Sequence, residues 1–410
     1  MNIENLENEL KQKIDKDDNL KEVLDIVKSN SSGKILMVGG TVFRNIINIL
    51  YSQKKEEIFD FDFIVENICE SNKMIIPKGW NLTKTHHGDP RFLKDKKQVD
   101  MWPLNKAVNL TDKDKIESMD KNDKLESYFR RVPLTVQAIA YDIKENKIIG
   151  NIGMQAISNK EIKVNNISEC LGFCKARRIS VRRFISSKSE SLNFKPYYYT
   201  FDDDNKKKET KDFYETYANE YKKDDLEYEP FISKNLLEEA NFFIEHLSGK
   251  NVLDLGSGPG RDSLLLKERG LNPICIDISK KMIEICKKKG LEAYQKDMEN
   301  LDLEDGSFNG IWAYTSLLHI PKERVYNVLA RIKELLKFEG LLFIGMIEGN
   351  GEVIYKNKNQ SEKDRFFSLY ESDEFRDILK SYFEILLFKR VENKNRKGDY
   401  ITFVCRNSKV

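Results

Sequence analysis

NVLDLGSGPGRDSLLLKERG, residues 251–270, is an apolar strand that ends in Asp254, then a turn with glycines at 256, 258 and 260, then a helix. Glycine lets a backbone take positive φ and pass close to a ligand where a side chain would clash. The next strand, PICIDIS, ends in Asp277, an acidic side chain placed to hold the two hydroxyls of a ribose. A third strand leads into QKDMENL, which offers Asp297 and Met298 to an adenine ring. Further apolar strands, GIWAY and LLFIGM, alternate with amphipathic helices, the pattern of a doubly wound α/β sheet. A glycine-rich turn alone is ambiguous, since dinucleotide sites begin in the same way and a cofactor-free α/β domain can turn on glycines.

The combination says more. DFYETYANEY (212–221), VLDLGSGPGRD (252–262), CIDIS (275–279), LEDGSFNGIWAYTSLLHIP (303–321) and LKFEGLLFIGM (336–346) together resemble the class I S-adenosylmethionine-dependent methyltransferases, over essentially all of residues 210–410. The resemblance implies a Rossmann-like fold and an S-adenosylmethionine site using Asp254, Gly256, Gly258, Gly260, Asp277, Asp297 and Met298, with Tyr221. AYTSLLHIP lacks the Asn/Asp-Pro-Pro-aromatic motif of enzymes that methylate base amines, and no Pro-Cys nucleophile is present, so the likeness is to methyltransferases of small molecules. His319 is placed where an imidazole with a pKa near neutrality takes the acceptor's proton; the alternative is a histidine that only bonds the fold. Arg365, in DRFFSLY, is a candidate for an anionic acceptor group.

The other half of the chain poses a different question. FDFDFIVEN, residues 59–67, sets Asp60 and Asp62 in an otherwise apolar strand. Residues two apart in a strand share a face, so the two carboxylates project together and repel unless a proton or cation bridges them. Mg²⁺ suits such oxygen ligands and commonly carries phosphates. Asp100, in the strand QVDMWPL, offers a third carboxylate, and MVGGTVFRN puts Gly39 and Gly40 at a helix N-terminus suited to a triphosphate.

VGGTVFRN (38–45), FDFDFIV (59–65), VDMWPL (99–104) and, more loosely, RRVPLTVQAIAYD (130–142) resemble the head domain of the poly(A) polymerase/tRNA nucleotidyltransferase superfamily, over about residues 33–185. The resemblance implies a mixed sheet with helices and a helical arm, and Mg²⁺-dependent nucleotidyl transfer from an NTP. Asp60, Asp62 and Asp100 would be the catalytic metal ligands, and Gly39, Gly40 and Arg44 would hold phosphates. Where the tRNA enzymes read Arg-Arg-Asp-Phe-Thr-Ile-Asn-Ala, this chain has Pro133 and Gln137, and it has no Glu-Asp-x-x-Arg motif. The implied acceptor is therefore something other than a tRNA end.

Composition is compatible with both halves. The chain has 410 residues, enough for two or three domains, with 40% hydrophobic and 33% charged residues. A net charge of +2 announces no nucleic-acid partner. The basic run KARRISVRRF, within 175–184, is either an RNA-phosphate contact or a solvated face. No apolar run reaches membrane-spanning length, the first residues are acidic and amphipathic, and the six cysteines form no CxxC pair, so a reduced cytoplasmic setting without membrane is expected. Cys170 and Cys174 with His86 and His87 would make zinc ligands only if both pairs converged; core cysteines and loop histidines are the plainer reading.

The expected organisation is a head domain at 1–165, a basic helical arm at 166–200, a linker in the charge run 201–211, and a methyltransferase domain at 212–410. Residues 1–30 read as one helix, 67–95 as an irregular insert, and 134–150 as a helix followed by a hairpin. The expected function is bifunctional: nucleotidyl transfer to a hydroxyl and methylation on one small-molecule acceptor. The alternatives are a methyltransferase acting on RNA bound or extended by the first half, or a nucleotide-binding scaffold without turnover.

Overall fold

The computed structural model describes residues 1–53, 57–85, 87–107, 116, 118–202, 204–224, 237–355, 364–391 and 398–408, without the side chains of 220–224 and 237. The chain divides into two compact units, Met1–Phe173 with Ile185–Tyr198, and Cys174–Phe184 with Tyr199–Val410.

The first unit begins with two helices, Ile3–Lys16 and Asp18–Ser29, rather than the one expected. Asp17 breaks them: it ends the first in an extended conformation and caps the second, its carboxylate accepting from the N–H groups of Asn19 and Leu20. The sheet comprises β1 (Ser31–Val38), β2 (Asp60–Ile68), β3 (Asn81–Lys84), β4 (Pro90–Lys94), β5 (Lys97–Pro103), β6 (Ala140–Asp142) and β7 (Lys147–Ile149), in the order β3-β4-β5-β2-β1-β6-β7. Only β2 and β5 pair in parallel. The segment 67–95 therefore holds two strands and is not irregular; their short, charged sequences hide the alternation. Between 134 and 150 the hairpin is present, preceded only by a 3-10 turn, Thr135–Gln137.

β2 shows how two faces divide the labour. Phe61, Phe63 and Val65 are buried on one face, while Asp60 and Asp62 share the other with buried Ile64. That second face packs Leu36, Val38, Ile64 and Ala140 with Leu125 and Phe129 of the helix Lys121–Arg131. A short parallel pair, β8 (Glu161–Ile162) and β9 (Lys195–Pro196), completes the unit.

In the second unit the sheet is built from β10 (Asn251–Leu255), β11 (Asn272–Asp277), β12 (Glu292–Gln295), β13 (Phe308–Tyr314), β14 (Leu336–Ile347), β17 (Glu384–Val391) and β18 (Tyr400–Arg406). A hairpin of β15 (Gly351–Tyr355) and β16 (Arg365–Leu369) lies between β14 and β17 in the chain. The sheet order is β12-β11-β10-β13-β14-β18-β17, parallel from β12 through β14, with β18 antiparallel to both of its neighbours so that β17 again runs in the direction of β14. β10, first in sequence, is therefore central, with its successors on one side and β13 on the other. In an open α/β sheet that topological switch point, at the carboxyl ends of the strands, is where a ligand binds. Buried apolar clusters cover both faces.

The charge run 201–211 is not a free linker: most of it lies in the helix Asn205–Asp224, capped by Asp204, which accepts from Lys206 and Lys207 N–H. The basic run is split between two helices, Ile167–Arg177 and Val181–Leu192. No helix among the described residues is long and apolar enough to cross a membrane.

Candidate functional site

At the switch point the turn after β10 is shaped by contacts only glycine permits. Gly256 has φ of +78°, and a Cβ there would lie 2.4 Å from the Ser316 Cβ and 3.4 Å from the Met298 Cε. Its N–H, with that of Ser257, donates to the Ile276 carbonyl at 2.8 and 3.0 Å, tying the turn to β11. Gly258 faces open space. Gly260, φ +80°, precedes the helix Arg261–Glu268 and abuts Leu291 and Cys286.

Asp277 ends β11, and its carboxylate accepts the N–H of Gly258 at 2.9 Å and of Ser279 at 2.8 Å. Two backbone bonds fix its orientation and leave lone pairs for two further donors. Burial raises its pKa to about 6, so it is ionised at neutral pH. Asp254 is otherwise engaged: it is buried and accepts from Ser263 Oγ at 2.6 Å, and burial holds its pKa well above the carboxylate range. It anchors the helix behind the turn.

Asp297 follows β12. One oxygen accepts the Glu299 N–H and the other takes Lys207 Nζ at 2.5 Å. Lys207 also meets Glu299 at 2.6 Å, and Arg324 pairs with Glu299 at 2.7 Å and with Asp204. The start of the helix Asn205–Asp224 is thus ionically locked beside Met298. Further along that helix, the Tyr214 hydroxyl lies 2.8 Å from His319 Nε2, while His319 Nδ1 lies 2.9 Å from the Phe366 carbonyl. A carbonyl only accepts, so Nδ1 carries the proton and Nε2 accepts from Tyr214. The expected near-neutral pKa of His319 is not met: burial lowers it to about 4 and keeps the ring neutral. Ser316 Oγ, buried beside Gly256, has no hydrogen-bond partner among the described residues. Arg365 stacks its guanidinium over Phe213 at 4.3 Å and Phe367 at 5.3 Å. The Tyr221 side chain lies outside what the structure describes.

Ser316, Tyr214 and Lys207 were not singled out in the sequence. Ser316 had a signal in its place just after the fourth parallel strand; Tyr214 and Lys207 had none, since a charged helix hides which of its residues turn inward.

Residues 252–340 match a family described as methyltransferase domain. This stretch of the chain carries a methyltransferase domain. A ubiquinone biosynthesis O-methyltransferase of Dechloromonas aromatica (strain RCB) is 32% identical over 111 residues, 25% of this chain. The chain spans 47% of the length of that curated relative. Among solved structures, a 1,6-didemethyltoxoflavin-N1-methyltransferase from Burkholderia thailandensis is 21% identical with a TM-score of 0.37, covering 47% of this chain and 87% of its own. A SAM-dependent methyltransferase from Methanosarcina mazei is 19% identical with a TM-score of 0.37, covering 40% and 95%. The matched segment lies within the second unit, and the glycine turn stands at its start.

A separate cluster lies in the first unit. Strand register aligns Arg91 of β4 with Asp100 of β5, Asp100 with Asp62 of β2, and Asp62 with Val38 of β1, a single row across four strands. Asp60 sits two residues from Asp62, opposite Gln98. Ligand atoms of Asp60, Asp62 and Asp100 all lie within 4.8 Å of one another. Arg91 grips Asp100 with both ends of its fork, Nε and Nη2 each 2.7 Å from one oxygen. Gln98 Nε2 bridges Asp60 at 3.0 Å and Asp100 at 3.2 Å. Burial, with the charges of Asp60 and Asp100, raises the Asp62 pKa to about 8.

Gly39 begins the helix Gly39–Tyr51 at φ +68°, and a Cβ there would stand 2.7 Å from the Asp62 carboxylate. The helix N-terminus therefore opens beside the acids, with Arg44 Nε 4.0 Å from the Cβ position of Gly40. Sequence reasoning found the three acids and the glycines but missed Arg91, because it did not resolve β4, and Gln98, a neutral amide in the strand that carries Asp100. The zinc alternative gains no support: Cys170 and Cys174 are buried, His86 lies outside the described residues, and the three aspartates are the one group of possible metal ligands among those described.

Proposed function

We propose that the second unit transfers a methyl group from S-adenosylmethionine to a small-molecule acceptor. The observation that carries this reading is Asp277, oriented by Gly258 and Ser279 at the switch point with acceptor capacity left for a ribose. S-adenosylmethionine supplies an electrophilic methyl group when bound. Around it, Gly256 and Gly258 would let the backbone approach, Asp277 would accept the ribose hydroxyls, Met298 would pack against the adenine, and Ser316 offers an unused hydroxyl. The acceptor proton leaves through the Tyr214 hydroxyl toward His319, whose Nε2 is held ready by the Nδ1–H bond to Phe366. A small molecule is favoured over RNA because Lys175 and Arg183 of the basic run are engaged with Tyr326 and Asp305. Calorimetric titration with S-adenosylhomocysteine tests the site: wild type binds, and Asp277→Ala binds at least about tenfold more weakly. Equal binding by both sinks the reading.

The first unit, on the same reading, performs nucleotidyl transfer from an NTP. The acceptor hydroxyl gives up its proton to solvent, its oxygen forms a bond to the α-phosphorus, and the bond from that phosphorus to the bridging oxygen breaks, so that pyrophosphate leaves. The residues fit Mg²⁺: three carboxylates converge, and Asp62, desolvated by burial, takes no hydrogen bond from the described residues. Asp60, Asp62 and Asp100 would hold the Mg²⁺, which would supply Lewis-acid stabilisation of the acceptor oxygen and of the leaving group. Gly39, Gly40 and the helix N-terminus hold the phosphates, with Arg44 behind them. Asp60→Ala is expected to abolish incorporation of a labelled NTP while leaving S-adenosylhomocysteine binding intact; full incorporation by that variant would show the acids to be structural.

A further inference from the structure

The grip of Arg91 on Asp100 is unusual in one respect: it occupies a carboxylate that the nucleotidyl-transfer reading assigns to a cation. Both oxygens of Asp100 are taken by the guanidinium fork, and one is taken again by Gln98, which also reaches Asp60. A carboxylate has about four lone-pair sites, so Asp100 has roughly one to spare. The Gln98 amide sits between the two carboxylates that an ion would bridge. Asp100 is fixed, its side chain 4% exposed, whereas Arg91 is 29% exposed and can swing toward solvent without disturbing the core.

We propose that Arg91 is an exchangeable counter-ion. It pairs with Asp100, yields that carboxylate to an incoming divalent cation, and then turns its fork to the phosphates of the incoming nucleotide. The chemistry permits the exchange because a guanidinium matches carboxylate and phosphate with the same two-pronged geometry. The register permits it because the row runs from Arg91 through Asp100 and Asp62 to Val38, so that a triphosphate spanning the acids would lie between Arg91 at one end and the Gly39 helix N-terminus at the other. Cation and nucleotide then enter as a coupled pair, and Arg91 is a positioning residue for both. The inference rests on the nucleotidyl-transfer reading of this site.

A merely supportive arginine would orient Asp100, and its loss would weaken metal binding by about 10- to 100-fold. The exchange role has the opposite sign. Full-length wild type, Arg91→Gln and Arg91→Lys are titrated with Mn²⁺ alone, followed by electron paramagnetic resonance, and then with a non-hydrolysable nucleoside triphosphate at saturating Mn²⁺. Arg91→Gln is expected to bind Mn²⁺ about tenfold more tightly than wild type and the triphosphate about tenfold more weakly. Arg91→Lys keeps the charge and loses the fork, so its Mn²⁺ affinity stays near wild type while its triphosphate affinity falls. Unchanged or weaker Mn²⁺ binding by Arg91→Gln, or unchanged triphosphate binding, overturns the exchange. If wild type itself binds no Mn²⁺ even with the triphosphate present, the nucleotidyl-transfer reading falls with it.

Discussion

Asp62 lies between two other carboxylates and is desolvated as well, and holds its proton to about pH 8. A carboxyl raised in the fold stabilises fully below the ordinary value of 3.8, and that contribution is lost as the pH rises through about 8. A divalent cation must therefore displace a proton. Mn²⁺ affinity is expected to rise with pH by up to about tenfold per unit and to level off near 8, with about one proton released at neutral pH. Calorimetry in two buffers of different ionisation heat measures that proton; none released would remove Asp62 from the ligand set. His319 behaves in the reverse sense. Its lowered pKa means that its contribution is present above 6.5 and is lost as the pH falls through about 4. His319→Gln should flatten the fall in urea stability between those values. Tyr214→Phe removes the only described bond to Nε2 and is expected to lower the methyl-transfer rate about a hundredfold with S-adenosylhomocysteine affinity unchanged. The three carboxylates could be named together from the sequence, but the burial of Asp62 and the Tyr214 and Phe366 partners of His319 could not, because pKa depends on burial and packing.

At the scale of elements, the glycine turn was legible because glycines between an apolar strand and a helix carry their own conformational reason. Gly256→Ala would add strain at φ +78° and a methyl 2.4 Å from Ser316, and should both destabilise the fold by more than about 1 kcal/mol and abolish cofactor binding. The helix Asn205–Asp224 was legible only in its second half. Its first turns read as a linker because what they bury is ionic: Lys207 and Arg324 enclose Glu299, whose side chain is fully buried. Hydrophobic periodicity cannot report such an anchor. Lys207→Met is expected to cost roughly 2 kcal/mol in denaturant titration, since Arg324 still pairs with the buried acid. β3 and β4 were missed for a similar reason. A five-residue strand reading PRFLK alternates too briefly to announce itself, yet its pairing with β5 delivers Arg91 to Asp100.

For the whole molecule, the proposed reading sets methyl transfer in the second unit and nucleotidyl transfer at the acidic row of the first on one chain. Tethering raises the effective concentration of the second site for a product of the first, which favours a shared acceptor. The most direct measurement incubates full-length protein with labelled nucleoside triphosphates, Mg²⁺, S-adenosylmethionine and cell extract, and weighs the products by mass spectrometry beside Asp60→Ala and Asp277→Ala. Wild type should yield an acceptor carrying both a nucleotide and a methyl group. Asp60→Ala should lose the nucleotide increment and Asp277→Ala the methyl. A methylated product of the same mass from wild type and Asp60→Ala, with no nucleotide increment in either, would contradict the account.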